Sequence, residues 1–266
     1  MRSFHDIMTG LAGPTTFYFV RHGESEGNVA GKMQGHRDHH LTDLGRDQAR
    51  ATGEWFAAAD VAVQRVFASP LKRAFETAAI LAATAGFPDP QPLPAAKELH
   101  TGVFTGLSFP EIQERFPEEY AEFVVGSWEA VPEAESVQSL TARALDTWER
   151  VVEAANAVHE TAPGGTETAT GARIMTVTHG GMLQWIFKAS FGATPDEVSP
   201  WMPLVLASNC AIFEFTARPV RSRDRTGTAL EWYYGQWSRV NYAPAAESSP
   251  GAVAREQFHT GGDRAR

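Results

Sequence analysis

Three short apolar runs, each followed by the start of a helix, constrain this chain more than any other feature. Thr15 to Val20, Arg65 to Ser69 and Arg173 to Thr178 have the length and the β-branched and aromatic content of buried strands. Leu41 to Gly45 leads into a helix through about Ala59, with Thr42 as N-cap and Leu44, Ala51, Trp55 and Phe56 on one face. Pro70 opens a helix through Ala83, and Gly180-Gly181 opens another through Ala189. A repeated strand-then-helix order predicts a parallel α/β sheet with helices packed on it. Such a sheet gathers its ligands at the carboxyl ends of its strands, and here those ends carry Arg21-His22-Gly23-Glu24, Ser69-Pro70 with Arg73 close behind, and His179-Gly180.

The rest of the chain fits around that frame. Residues 1–13 read as a disordered leader without the continuous apolar stretch and cleavage site of a signal peptide. Pro88 to Pro92 marks a loop, and the stretch from about Leu107 to Val137 leaves the alternation. It carries Phe109, Phe116, Tyr120, Phe123 and Trp128 among glutamates and prolines, the pattern of a helical insertion over the site. A helix from Ser136 to about His159 and the Gly/Thr-rich loop Pro163 to Gly171 precede the third strand. Cys210 to Thr216 and Leu230 to Trp237 read as antiparallel strands joined by an arginine-rich loop, Arg218 to Gly227, whose Arg218 to Arg225 cluster is either solvated charge, the commoner meaning, or a late loop that reaches the strand ends. Residues 244–266 lack periodicity and read as a disordered tail, which leaves 14–243 as one domain with 107–137 inserted.

A net charge of −9 argues against general nucleic-acid binding. It does not oppose a phosphorylated small molecule, which responds to charges within a Debye length of about 8 Å. No apolar run nears the roughly 20 residues of a membrane span. The single cysteine, Cys210, sits in an apolar segment, reads as a buried small hydrophobe and agrees with a cytoplasmic protein.

The run Arg21-His22-Gly23-Glu24-Ser25-Glu26-Gly27-Asn28, with Ser69-Pro70-Leu71-Lys72-Arg73-Ala74, Glu98 with Gly102, and Thr178-His179-Gly180, resembles the histidine phosphatase (phosphoglycerate mutase-like) superfamily. The resemblance implies a three-layer α/β/α sandwich with a mostly parallel sheet, and phosphoryl transfer through a histidine nucleophile, His22. Neutral imidazole suits that role because it is both nucleophile and leaving group at neutral pH. Its second ring nitrogen must keep its proton, so a backbone carbonyl near Gly23 is expected to fix the tautomer. Arg21 and Arg73 would meet the equatorial phosphoryl oxygens, Asn28 would add a neutral donor, and His179 with the Gly180 amide would close the cage.

Glu98, which with Gly102, Phe104 and Gly106 is similar to the family's acid element, would protonate the leaving group and later activate water. Gln34-Gly35 resembles the loop bordering the substrate. Glu135-Ser136 resembles a Gly-Glu-Ser element, with Ala134 in place of the glycine and capping as its other reading. The resemblance implies chemistry without a metal, no cofactor is expected for the hydrolysis, and His36, Asp38, His39 and His40 match no strong zinc spacing. Three functions follow: hydrolysis of a small phosphomonoester, cofactor-dependent phosphoglycerate mutase activity, and phosphate-ligand binding without turnover. Mutases resemble one another in carrying extra Arg and Lys soon after the acid, whereas here only Arg115 stands among six glutamates from Glu111 to Glu129. Hydrolysis of an ester with an uncharged or apolar body is therefore the expectation, with a homodimer allowed and no nucleic acid or membrane as partner.

Overall fold

The computed structural model describes residues 2–161, 171–193 and 205–244. In chain order the elements are α1 (Phe4–Thr9), β1 (Thr15–Arg21), α2 (Glu26–Val29), α3 (Asp43–Ala58), β2 (Arg65–Ala68), α4 (Lys72–Ala85) and β3 (Gln91–Pro92). There follow α5 (Phe109–Arg115), α6 (Pro117–Val124), α7 (Val137–Thr161), β4 (Ala172–Thr178), α8 (Gly180–Ala189), β5 (Ile212–Arg223) and β6 (Ala229–Tyr242). The strands form one six-stranded sheet in the order β3-β2-β4-β1-β5-β6. The first four run parallel, and β5 and β6 pair antiparallel at one edge.

Both sheet faces are covered, which is why β1 reads as a continuous apolar run and not an alternating one. Phe17 and Phe19 point to the side of α1, α7 and α8, and Tyr18 and Val20 to the side of α3 and α4. Trp148 of α7 centres the larger core, with Phe4, Phe17, Phe19 and Phe215 around it edge-on and its indole N–H donating to the Ile186 carbonyl at 3.0 Å. The fold is thus the expected sandwich with a mostly parallel sheet, and α5 and α6 form the expected helical insertion.

Four local expectations need correction. The leader is not disordered: α1 is closed by a Ser3/Asp6 capping box and buries Phe4, Ile7, Met8 and Leu11, a helical stripe, against Trp148 and its neighbours. On α3 the buried stripe is Gly45, Gln48, Ala49, Thr52, Gly53 and Phe56, while Leu44, Ala51 and Trp55 are only half-buried. The small residues let the backbones close up; a Cβ on Gly53 would stand 2.8 Å from the Leu81 carbonyl of α4. Third, α4 starts at Lys72 and not at Pro70, because the Ser69 hydroxyl accepts from the Leu71 amide and the Asp38 carboxylate from the Lys72 amide. Fourth, Arg218, Arg221 and Arg223 are strand residues; the turn itself is short and held by Asp224, which accepts from the amides of Thr226 and Thr228.

The tail from 245 onward and most of the Pro163 to Gly171 loop lie outside the described residues. Among the described residues no helix is long and apolar enough to cross a membrane.

Candidate active site

Parallel pairing places the chemistry. Arg21 stands opposite Thr178 in the β1/β4 register, so the next residues, His22 and His179, leave the sheet side by side with ring centroids 5.1 Å apart. The β2 strand brings Ser69 to the same end, where its hydroxyl meets His179 Nε2 at 2.7 Å. The His22 amide donates to the Thr178 carbonyl at 2.9 Å, and Asn209 Nδ2 donates to the His22 carbonyl at 3.0 Å. His22 Nδ1 donates to the Gly23 carbonyl at 2.6 Å. That bond puts the ring proton on Nδ1 and leaves Nε2 with its lone pair, in a residue that lines the cavity.

The turn that aims His22 depends on two glycines. A Cβ on Gly23 would lie 2.4 Å from the Gly45 carbonyl, and one on Gly45 would lie 2.0 Å from the Glu24 carbonyl. The start of α3 therefore presses directly on the segment after the histidine. Gly45→Ala is expected to cost roughly 1–3 kcal/mol by overpacking and to lower turnover more than it lowers substrate affinity. Urea unfolding and steady-state kinetics check this, and an unperturbed variant would show the contact to be soft.

Around His22 the described residues gather positive charge and no ion pair to Arg21 or Arg73. Arg73 is fully buried and donates from Nη1 to the Arg37 carbonyl at 2.7 Å and from Nη2 to the Gly35 carbonyl at 2.9 Å. Burial lowers its pKa to about 10, although the charges of Glu98 and Asp38 oppose the shift. Arg21 donates from Nη1 to the Ala207 carbonyl. Among the described residues, Arg21 Nε, Arg73 Nε and His179 Nδ1 are buried with no hydrogen-bond partner. Buried donors rarely go unsatisfied, and three on neighbouring cationic or imidazole groups call for an anion.

Burial first, then Arg73, pushes the pKa of both His22 and His179 well below the usual histidine value; Arg21 adds to the shift in each. Both rings stay neutral in the folded protein while an unfolded chain takes up protons below about pH 6.5. Stability should therefore be level above that pH and fall as pH drops from 6.5 to 5, with a slope of about 2.7 kcal/mol per pH unit at full effect from two protons. Urea melts across this window test it, and a flat profile would contradict buried neutral imidazoles.

The cavity has a volume of about 280 Å³. Of the residues singled out from sequence, Arg21, His22, Asn28, Gln34, Gly35, Glu98 and Gly180 line it; Arg73 and His179 do not, and lie fully buried behind it. Glu98 sits at the amino end of α8, its Oε1 accepting from the Met182 amide at 2.9 Å and its Oε2 from the Gly181 amide at 3.3 Å. That part of the helix end serves the carboxylate, leaving Gly180 as the glycine next to the histidines. The Glu98 backbone is clamped in turn by His36 Nε2, which donates to its carbonyl at 2.7 Å, and by Arg143. Arg143 is held by both carboxylate oxygens of Glu135, so Glu135 has a positioning part, while the Ser136 hydroxyl accepts from the Ser139 amide as a cap does. The other members of the histidine loop diverge: His39 faces Glu26, and His40 faces Lys72. Among the described residues no cluster of His, Cys, Asp and Glu is grouped to hold a metal ion.

The sequence reading missed Lys32, Met33, Leu99, Thr101, Gln184 and Ala207 on the cavity wall. Gln184 lies one turn after Gly180 on α8 and was within reach of helical spacing; Lys32 had no such signal. It changes the charge argument, because Lys32 reaches Glu111 at 3.8 Å while none of the glutamates from Glu111 to Glu129 lines the cavity. Phe123 and Trp128 do line it, as the insertion's aromatics allowed.

Residues 17–223 match the model of the histidine phosphatase superfamily, branch 1. The chain is 34% identical over 175 residues to a metal-independent phosphoserine phosphatase of Arabidopsis thaliana, covering 65% of this chain and 67% of that one. It is 33% identical over 171 residues to phosphoglycerate mutase-like protein 4 of the same plant, covering 64% and 68%. In fold it is similar to a solved mycobacterial glucosyl-3-phosphoglycerate phosphatase, with a TM-score of 0.62, 20% identity, and coverage of 86% of this chain and 99% of that one.

Proposed function

The chain belongs to the histidine phosphatase superfamily, branch 1, and is a histidine phosphatase; from that premise we propose that it hydrolyses a small phosphomonoester through a phosphohistidine on His22. The observation that carries the reading is the neutral, carbonyl-fixed His22 among three unspent buried donors, Arg21 Nε, Arg73 Nε and His179 Nδ1. His22 Nε2 attacks phosphorus and the ester P–O bond breaks. Charge on the phosphoryl oxygens is met by Arg21 and by the two groups behind the wall, Arg73 and His179. Glu98 gives the leaving alkoxide a proton, then takes one from the water whose oxygen displaces Nε2 from phosphorus.

The glutamates from Glu111 to Glu129 are off the cavity wall, and Lys32, although 3.8 Å from Glu111, brings a cation to it. A phosphorylated metabolite bearing a carboxylate therefore fits as well as one with an apolar body resting on Leu99, Phe123 and Trp128. Lys32 also favours the mutase as second reading. Incubation with 3-phosphoglycerate plus 2,3-bisphosphoglycerate separates the two: a phosphatase releases free phosphate, and a mutase forms 2-phosphoglycerate with little phosphate. A panel of phosphorylated metabolites with free phosphate as readout then identifies the ester.

Catalysis by cationic side chains predicts full activity in EDTA. Activity lost to the chelator and restored by zinc, magnesium or manganese would overturn the mechanism. The cytoplasm is the compartment we assign, supported by Cys210, which is buried and whose thiol burial pushes up to about 12.

A further inference from the structure

The β5/β6 ribbon outruns the sheet. β1 pairs with β5 only as far as Ala217, so Arg218–Arg223 and their partners Ala229–Tyr234 continue as two strands with no third beside them among the described residues. A two-stranded ribbon is marginal in water and gains independent stability from a further strand or a packed face. Here α1 covers one side, where Phe4 and His5 meet the Tyr233 ring. On the other side the alternation places Leu230, Trp232 and Tyr234 together, opposite Ser222, Val220 and Arg218 in the register. Those three apolar residues are 46%, 49% and 49% exposed. β6 is also the last strand of the sheet, and among the described residues no backbone group from Ala229 to Trp237 bonds outward.

Natural edges of this kind are blunted by proline, lysine, bulges or inward charge. From Ala229 to Trp237 there is no proline and no lysine, and the only charge is Glu231. The bulge comes later, where the register with β5 shifts between Glu214 and Phe215 and Arg239 pairs with Glu214. Among the described residues a nine-residue regular edge is left open.

We propose that this edge pairs with the same edge of a second copy, antiparallel about a two-fold axis at Tyr233, joining the two sheets into one. An isologous contact demands a self-complementary strand, and this register supplies one. Trp232 falls opposite the partner subunit's Tyr234, and Tyr234 opposite the partner subunit's Trp232, two aromatic cross-strand pairs on one face. Glu231 falls opposite the partner subunit's Gly235, so the only charge of the stretch never meets its like. Moving the axis to Glu231 would oppose two carboxylates and break both aromatic pairs. Because the axis is perpendicular to the sheet, the exposed apolar faces of the two ribbons merge into one surface. The cavity at His22 lies at the opposite end of β1 from the ribbon and stays open.

The experiment is light scattering on the full chain across a concentration series, with three proteins. The unaltered chain should have twice the monomer mass. The double variant Trp232→Glu, Tyr234→Glu should have the monomer mass, with kcat/KM toward an aryl phosphate unchanged and the same circular dichroism. Tyr233→Cys should form a covalent dimer on mild oxidation, read on a non-reducing gel, since its thiol faces its own copy across the axis while Cys210 is buried. A chain monomeric at every concentration, a dimer untouched by the double variant, or a Tyr233→Cys dimer that does not cross-link would each overturn the assignment.

Discussion

His22→Ala is expected to lower kcat/KM by at least about 10³-fold for every phosphomonoester, because in the proposed mechanism the residue forms the bond to phosphorus and no neighbour can replace it. His179 is the other buried imidazole of the site, but its Nε2 is engaged with the Ser69 hydroxyl and its ring lies 5.1 Å from that of His22. The variant should still fold. The backbone bonds of residue 22, to the Thr178 carbonyl and from Asn209, do not involve the ring, and a stability change within about 2 kcal/mol is anticipated for its loss. Steady-state kinetics beside a thermal melt reads both quantities. A folded variant with full turnover would remove His22 from the mechanism.

Glu98→Gln is expected to act selectively. Loss of the proton donor should slow alkyl phosphates by roughly 10²–10³-fold, within the usual range for general acid catalysis, and aryl phosphates with good leaving groups far less. The glutamine oxygen can still accept from the Met182 amide, the shorter of the two bonds at 2.9 Å, so the amino end of α8 should keep its place while the Gly181 amide loses its partner. Equal slowing of both ester classes would make Glu98 a structural anchor of that helix and not the acid.

The strand ends were legible in the sequence because parallel pairing needs only local information: three apolar runs, each ending on a reactive or helix-starting residue. Once β1 and β4 lie in register, His22 and His179 must be neighbours. The Gly23 carbonyl was legible too, since a histidine nucleophile has to hold its other proton somewhere, and the structure puts Nδ1 2.6 Å from it. What was hidden depends on the return path of the chain. Lys32 reaches the cavity through a loop that reverses at Gly31 and Gly35, both at positive φ, and no periodicity marks such a path. On α3 large apolar residues mark the buried face only at Phe56, whereas the close backbone approaches are made by Gly45 and Gly53, whose small size permits them. The α1 stripe escaped notice for a different reason: a six-residue helix has too little length to stand out from an irregular leader, and tertiary contact with Trp148 supplies what propensity does not.

The central claim is a covalent phosphohistidine on His22, and rapid acid-free quenching of the enzyme with a ³²P-labelled ester, followed by peptide mapping, tests it most directly. The account predicts label that is stable to base, labile to acid, and located on the peptide containing His22. Label on another residue, or turnover with no labelled enzyme while Glu98→Gln also fails to accumulate any, would contradict it.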